Sequence, residues 1–198
     1  SARLREVAFA CREGFMILTA CDVWLARAQL AVELDGMMPE VQENPGLHWY
    51  RAYHPILKWR NKQTGRPTVP FDLTLSPDQR MVLISGPNAG GKSVLLKAVA
   101  LNQVMVQSGF LIPVDERSVC GMFGSFFADI GDQQSLEEDL STYSSHLKNM
   151  REFLQKSGRR SMVLIDEMGS GTDPQYGGAA EAQRQPRPDR GQARDPCR

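Results

Sequence analysis

The sequence Gly86-Pro-Asn-Ala-Gly-Gly-Lys-Ser93 is the most informative stretch of this chain, because it matches the phosphate-loop pattern G-x-x-x-x-G-K-S/T at every fixed position. A short apolar run, residues 81–85, precedes it and predicts a strand that is covered on both faces. Helical spacing follows from about residue 92 to residue 107. Strand, loop and helix in this order favour nucleotide binding over the alternative, a glycine-rich turn of an α/β fold without nucleotide.

The residue types of this loop suit phosphate chemistry. The predicted nucleotide-binding residues are Gly86, Pro87, Asn88, Ala89, Gly90, Gly91, Lys92 and Ser93. Glycines let backbone N–H groups turn towards phosphate oxygens without a Cβ in the way, and the following helix adds the positive end of its dipole. Lys92 is a candidate catalytic residue that brings a positive charge to the β- and γ-phosphates, and the Ser93 hydroxyl is a candidate ligand of Mg²⁺. The predicted cofactors are therefore ATP and Mg²⁺.

Two carboxylates close a second apolar run, residues 161–167, which predicts another buried strand. Asp166 and Glu167 would then lie at the C-terminal edge of the sheet, beside the phosphate loop. Neighbouring strand residues point to opposite faces, so the two acids have different roles. We expect Asp166 to hold the water shell of Mg²⁺ and Glu167 to orient or deprotonate the attacking water. An apolar run that ends in Asp-Glu is often a simple strand end, and the preceding phosphate loop favours the catalytic interpretation.

The remaining patterns predict an α/β fold. Residues 3–34 have apolar side chains at steps of three and four, which predicts one long helix or two helices joined near Gly14. Residues 36–68 are rich in Pro and Gly and predict connecting structure with one short strand. Further strands are predicted at residues 69–75 and 122–130, and an amphipathic helix at residues 145–156 with Leu147, Met150 and Leu154 on one side. Strands that alternate with helices predict a mostly parallel sheet flanked by helices.

Composition excludes several classes of protein. The 198 residues carry 23 basic and 23 acidic side chains, and this formal net charge of zero excludes a nucleic-acid binder that works by bulk positive charge. Uninterrupted apolar runs fall far short of the roughly 20 residues that span a bilayer, so no membrane partner is expected. The four cysteines lack CxxC spacing, which favours a reducing, cytoplasmic location over a disulfide framework.

Three further motifs make a family resemblance specific. They are Asp129-Ile-Gly-Asp-Gln-Gln-Ser135, Ser141-Thr-Tyr-Ser-Ser-His146 and Asp166-Glu-Met-Gly-Ser-Gly-Thr-Asp-Pro174. With the phosphate loop, they resemble the ATPase domain of the MutS family over about residues 50–181, in the family's order. Ser-Ser-His and Gly-Ser-Gly-Thr-Asp-Pro look most like the type-two bacterial branch. The serine-rich segment at residues 135–146 is also open to a structural interpretation, as an N-cap of the following helix.

The resemblance implies a domain division and an ABC-type P-loop fold. Residues 1–35 would be the end of the helical core, or lever, domain, and residues 36–68 a connecting segment in which His54 is similar to the approach to the adenine pocket. Residues 69–182 would be the ABC-type ATPase domain, incomplete at its C-terminal side. Residues 183–198 contain Arg and Pro without hydrophobic periodicity, and we expect a disordered or non-native tail there.

The resemblance also implies a homodimeric ATPase, in which Ser141 of one subunit reaches the ATP on the partner's phosphate loop. Its targets would be double-stranded DNA that is branched or mismatched, with restraint of recombination as the outcome, or stalled ribosomes, reached through domains outside this sequence. Mismatch-repair MutS is an alternative. A non-catalytic nucleotide-binding module is another, because the family's Thr-Thr-His segment, whose histidine reaches the γ-phosphate, is not found in this sequence.

Overall fold

The computed structural model describes residues 2–87, 90–130 and 139–166, with side chains described from residue 7 in the first helix and from residue 146 in the last. The helices are α1 (Ala2–Leu34), α2 (Pro55–Thr64), α3 (Lys92–Gln107) and α4 (Asp139–Lys156). The strands are β1 (Glu40–Gln42), β2 (Leu47–Ala52), β3 (Phe71–Leu75), β4 (Val119–Gly121), β5 (Ser125–Asp129) and β6 (Ser161–Ile165). The predicted α/β class is confirmed.

The strands form two sheets with different directions. The larger sheet has the order β1-β4-β2-β3, in which β1 and β4 are parallel and β2 is antiparallel to both of its neighbours. The smaller sheet is the parallel pair β5 and β6. The prediction of a mostly parallel sheet is therefore correct for the smaller sheet and wrong for the larger. The reason is visible in β3, where half-buried and exposed residues alternate, since this pattern is typical of antiparallel strands with one covered face.

The predicted strand at residues 81–85 does not form. Met81, Val82 and Leu83 are 67%, 46% and 63% exposed, and within the described ranges the run pairs with no strand. An apolar run becomes a covered strand only when a neighbouring strand takes its backbone hydrogen bonds. Neither β5 nor β6 does so here, and the run leads into the phosphate loop as irregular backbone.

Residues 36–68 hold more regular structure than predicted, namely β1, β2 and α2. Two of the residues that suggested a linker, Pro55 and Gly65, lie at helix boundaries instead. Pro55 is in the first turn of α2, where its missing N–H has no cost, and His54 Nδ1 accepts from the N–H of Leu57 at 3.4 Å. Gly65 ends the helix in the left-handed conformation, with φ of 67°. Because β2 pairs with β3 and β4, this segment belongs to the larger sheet.

The core lies between α3 and the two sheets. Its buried members come from β2, α3, the segment after α3, β4 and β6: Leu47, Trp49, Ala52, Val99, Val106, Ile112, Val114, Cys120 and Met162. Helix α3 therefore packs on both sheets. On the predicted apolar side of α4, Leu147 and Leu154 are 50% and 72% exposed, and Met150 is half-buried. The ring of Phe153 also faces the sheet, with its centroid 5.3 Å from that of Phe127.

Helix α1 is continuous through Gly14, which confirms the single-helix alternative. By length and composition alone, its part from Val7 to Leu34 is long and apolar enough to cross a membrane, although polar residues interrupt its apolar runs. A helix that packs on other protein meets the same criterion. The C-terminal end of α1 packs in this way, since Leu34 is buried and Trp59 Nε1 donates to Glu33 Oε2 at 2.6 Å.

Candidate nucleotide-binding site

The phosphate loop has the backbone that its glycines permit. Gly86 and Gly91 have φ of 155° and 82°, in a region that residues with a Cβ rarely adopt. Between them, the N–H of Gly90 donates to the carbonyl oxygen of Pro87 at 2.8 Å, which closes a tight turn. A Cβ on Gly91 would meet nothing within 4 Å, so its conformation, and not lack of space, requires glycine. Asn88 and Ala89 lie outside the described residues.

The loop ends at the N-terminus of α3. Gly91 is the N-cap of α3 and provides no side-chain acceptor for the first N–H groups of the helix. Such N–H groups, together with the helix dipole, attract anions. The Nζ of Lys92 reaches back over the loop and donates to the carbonyl oxygen of Gly86 at 2.7 Å. Ser93 is half-buried in the first turn of α3. Lys92 and Ser93 therefore lie at the mouth of the loop, as phosphate and Mg²⁺ chemistry requires.

Asp166 directly follows β6 and is 7% exposed. Its backbone N–H donates to the carbonyl oxygen of Asp129 at 2.9 Å, so the ladder between β5 and β6 extends to this residue. Helix α3 contacts β6, which brings the helix that begins at the phosphate loop against the strand that ends at Asp166. Glu167 lies outside the described residues.

Ser141 lies within the first turn of α4, which runs from Asp139. It is therefore a helical residue and is not itself the N-cap of α4. Its side chain lies outside the described part of the chain.

Burial lowers the pKa of His54, with a smaller effect of the positive charge of Lys97 on α3, and this favours a neutral imidazole.

A polar cluster that was not predicted lies at the end of β5. Asp129 is 9% exposed, and both of its carboxylate oxygens have partners on α4. His146 Nδ1 lies 2.6 Å from Oδ2, and Asn149 Nδ2 donates to Oδ1 at 3.1 Å. An ionised carboxylate only accepts hydrogen bonds, so this contact is a hydrogen bond in the tautomer of His146 that carries a proton on Nδ1. Two sequence signals were available for this cluster. Asp129 is a polar residue that ends a strand of alternating pattern, and His146 and Asn149 lie three positions apart on one helix.

No preformed metal centre exists in the described ranges, because no three His, Cys, Asp or Glu side chains converge there. Mg²⁺ is commonly held by one or two carboxylates, water and substrate phosphates. The hydroxyl of Ser93 and the nearly buried carboxylate of Asp166 are donors of this type, so the described residues fit a Mg²⁺ ion that arrives with a nucleotide.

The family comparison agrees with this geometry. MutS domain V matches residues 82–184, a little over half of the chain, and this range includes the phosphate loop and the end of β6. The chain belongs to the MutS family. Its relatives include Endonuclease MutS2 of Carboxydothermus hydrogenoformans, 41% identical over 168 residues (85% of this chain and 21% of the relative). Endonuclease MutS2 of Gemmatimonas aurantiaca is 45% identical, over 82% of this chain and 19% of the relative. Endonuclease MutS2 of Halothermothrix orenii is 38% identical, over 90% of this chain and 22% of the relative.

These relatives confirm the predicted type-two branch of the MutS family. The chain spans about a fifth of the length of the curated relatives it matches. The matched part includes the phosphate-loop motif and the residues Asp166 and Glu167.

Proposed function

We propose that this chain binds Mg-ATP and is the ATP-hydrolysing part of a dimeric MutS-family protein of the type-two branch. The observation that carries the proposal is the phosphate loop, in which Lys92 Nζ lies over the loop next to the α3 N-terminus, a helix end without a side-chain cap. The proposal includes an ABC-type P-loop fold.

The proposed reaction uses these residues in distinct roles. The loop and α3 backbone N–H groups orient the phosphates, and Lys92 exchanges the neutral carbonyl of Gly86 for charged phosphate oxygens, which form stronger hydrogen bonds. Ser93 and Asp166 would hold a Mg²⁺ ion, which would supply neutralisation of the phosphate charge. Glu167 then orients or deprotonates the attacking water.

The proposed target is branched or mismatched DNA, with restraint of recombination as the role, or a stalled ribosome. Either would be reached through parts of the protein beyond this chain, as a cytoplasmic homodimer in which Ser141 of each subunit reaches the partner's ATP. The relatives are named endonucleases, and we propose that this segment supplies the ATPase part of such a protein. The relatives favour this branch over mismatch-repair MutS.

Calorimetry of Mg-ATP binding to the 198-residue chain tests the nucleotide site. We expect Lys92→Ala to weaken binding at least tenfold, because a hydrogen bond between charged groups contributes about 1.5–3 kcal/mol. Lys156→Ala is the charge-matched control, since this exposed side chain pairs only with Glu152 among the contacts described, and it should bind as the wild type does. Equal binding by Lys92→Ala and the wild type would refute the site.

Multiple-turnover phosphate release separates the ATPase from the non-catalytic alternative. We expect turnover in the wild type and its loss in Glu167→Gln, with Mg-ATP binding retained. Binding without turnover in the wild type would favour a nucleotide-binding module, and unchanged turnover in Glu167→Gln would assign the water-activating role to another residue.

A further inference from the structure

We infer that Asp129, His146 and Asn149 form a positioning unit that couples occupancy of the phosphate loop to the placement of α4, and so of Ser141. This inference rests on the proposed nucleotide-binding function. None of the three residues is in the phosphate loop. They act by holding β5 and α4 together.

The first argument is the geometry of the carboxylate. Asp129 is nearly buried, and its two oxygens are each taken by a different residue of α4, at 2.6 Å from His146 and 3.1 Å from Asn149. A carboxylate that is held at both oxygens fixes the rotation as well as the distance of the helix relative to the strand. Asp129 therefore fixes the position of α4 at the C-terminal end of β5.

The second argument is the neighbourhood of Asp129. Strands β5 and β6 are parallel and in register, with Asp129 opposite Ile165, and the Asp129 carbonyl accepts from the N–H of Asp166. A shift of Asp166 towards a nucleotide-bound metal would therefore move the backbone of Asp129. On α4, His146 is five residues after Ser141, about 7.5 Å along the helix axis, so the helix carries any shift at His146 to Ser141.

The third argument is the exposure of described side chains on α4. Leu147 and Leu154 are 50% and 72% exposed, and the ring of Phe153 contacts that of Phe127. Helix α3, in contrast, contributes Val99 to the buried core. A helix with exposed apolar side chains shifts at lower cost than a core helix, so the hydrogen bonds of Asp129 contribute to where α4 lies.

Hydrogen–deuterium exchange of the 198-residue chain, with and without Mg-ATP, tests the coupling. In the wild type we expect Mg-ATP to slow exchange at least fivefold both in peptides of the phosphate loop and in peptides of residues 139–156. In His146→Leu, the slowing of exchange by Mg-ATP should stay within twofold of the wild-type value for the loop peptides. For the α4 peptides of this variant, Mg-ATP should slow exchange less than twofold. His146→Asn keeps a donor at the position of Nδ1 and should restore the protection of α4.

Two further variants control the experiment. Gln155→Leu makes a similar change on the exposed side of α4 and should behave as the wild type. Asn149→Ala removes only one of the two donors to Asp129, so it should lose part of the α4 protection even if His146→Leu does not fold. Loop protection without α4 protection in the wild type, or wild-type behaviour of His146→Leu, would overturn the coupling and leave the nucleotide site intact. Loss of both protections in His146→Leu without rescue by Asn would show a purely structural role. Absence of both protections in the wild type would overturn the proposed function and the coupling with it.

Discussion

Replacing Gly121 by Ala is predicted to destabilise the larger sheet, because β4 passes too close to the backbone of another segment to admit a Cβ. The added carbon would lie 2.2 Å from the carbonyl oxygen of Asn44, and 2.5 Å and 2.8 Å from the nitrogen and oxygen of Gly46. All three contacts are with backbone atoms, so no side-chain rotation can relieve them. Either β4 or the segment that connects β1 to β2 has to move.

The size of the effect follows from what that movement breaks. The N–H of Gly121 donates to Gly46 at 2.7 Å, and the N–H of Met122 donates to Gln42 at 2.9 Å. Two such hydrogen bonds contribute roughly 1 kcal/mol each, and overpacking alone costs about 1–3 kcal/mol. We expect a loss of about 3 kcal/mol in the free energy of unfolding, a large part of the 5–15 kcal/mol that is typical of folded domains.

Urea unfolding, followed by circular dichroism, measures this loss. With a slope of about 2 kcal/mol per molar urea, the midpoint should fall by about 1.5 M. Gly158→Ala is the matched control, because a Cβ at Gly158 meets nothing within 4 Å, and its midpoint should shift by no more than about 0.3 M. A shift for Gly121→Ala as small as that of the control would refute the reasoning, since it would show that the segment at residues 44–46 yields freely.

Two further predictions concern ionisable groups. Burial raises the pKa of the Cys120 thiol, and the thiolate is the reactive form of cysteine. Iodoacetamide at pH 8 should therefore modify the exposed Cys11 and Cys21 at least tenfold faster than Cys120. Equal rates of modification, measured by peptide mass spectrometry, would contradict this prediction. The hydrogen bond from Lys62 lowers the pKa of Asp35 below its ordinary 3.8, so the stabilising effect of the ion pair is present above pH 3.8 and is lost as the pH falls through the lowered pKa. Asp35→Asn should therefore lower the free energy of unfolding at pH 7 by less than about 1 kcal/mol, as is usual for exposed ion pairs. In acid, the urea midpoints of the variant and the wild type should converge. A difference between the two midpoints that persists in acid would refute the ion-pair explanation.

Patterns within one element predicted structure well. The apolar spacing of residues 3–34 predicted α1, and a single Gly14 did not interrupt it, since one glycine costs only about 1 kcal/mol in a helix of this length. Alternation predicted β3, and the apolar run before Asp166 predicted β6. These signals are local, because a period of 3.6 or 2 arises within the element itself.

Features that depend on pairing between distant segments were not predictable in this way. The run at residues 81–85 has the composition of a covered strand, but composition does not specify a neighbouring strand to accept its hydrogen bonds. In the same way, nothing local to β1 specifies that it pairs with β4, 79 residues later from Glu40 to Val119. Asp129 belongs to a family motif, but the sequence gives it no role, because its partners on α4 are identified only by the fold.

The attachment of α3 bears on how a nucleotide would act on this protein. Asn102 and Gln103 are fully buried, and their side-chain amides donate to the carbonyl oxygens of Tyr53 and Gly121, at 2.9 Å and 2.8 Å. These bonds tie α3 to the backbone on two sides, and moving the helix would leave buried polar groups without partners, at a cost of about 1–3 kcal/mol each. Both bonds lie in the C-terminal half of α3, and the continuous helix carries this restraint to Lys92 at its N-terminus. In the proposed coupling, a structural response to ATP therefore arises at α4, which the carboxylate of Asp129 joins to β5 through His146 and Asn149.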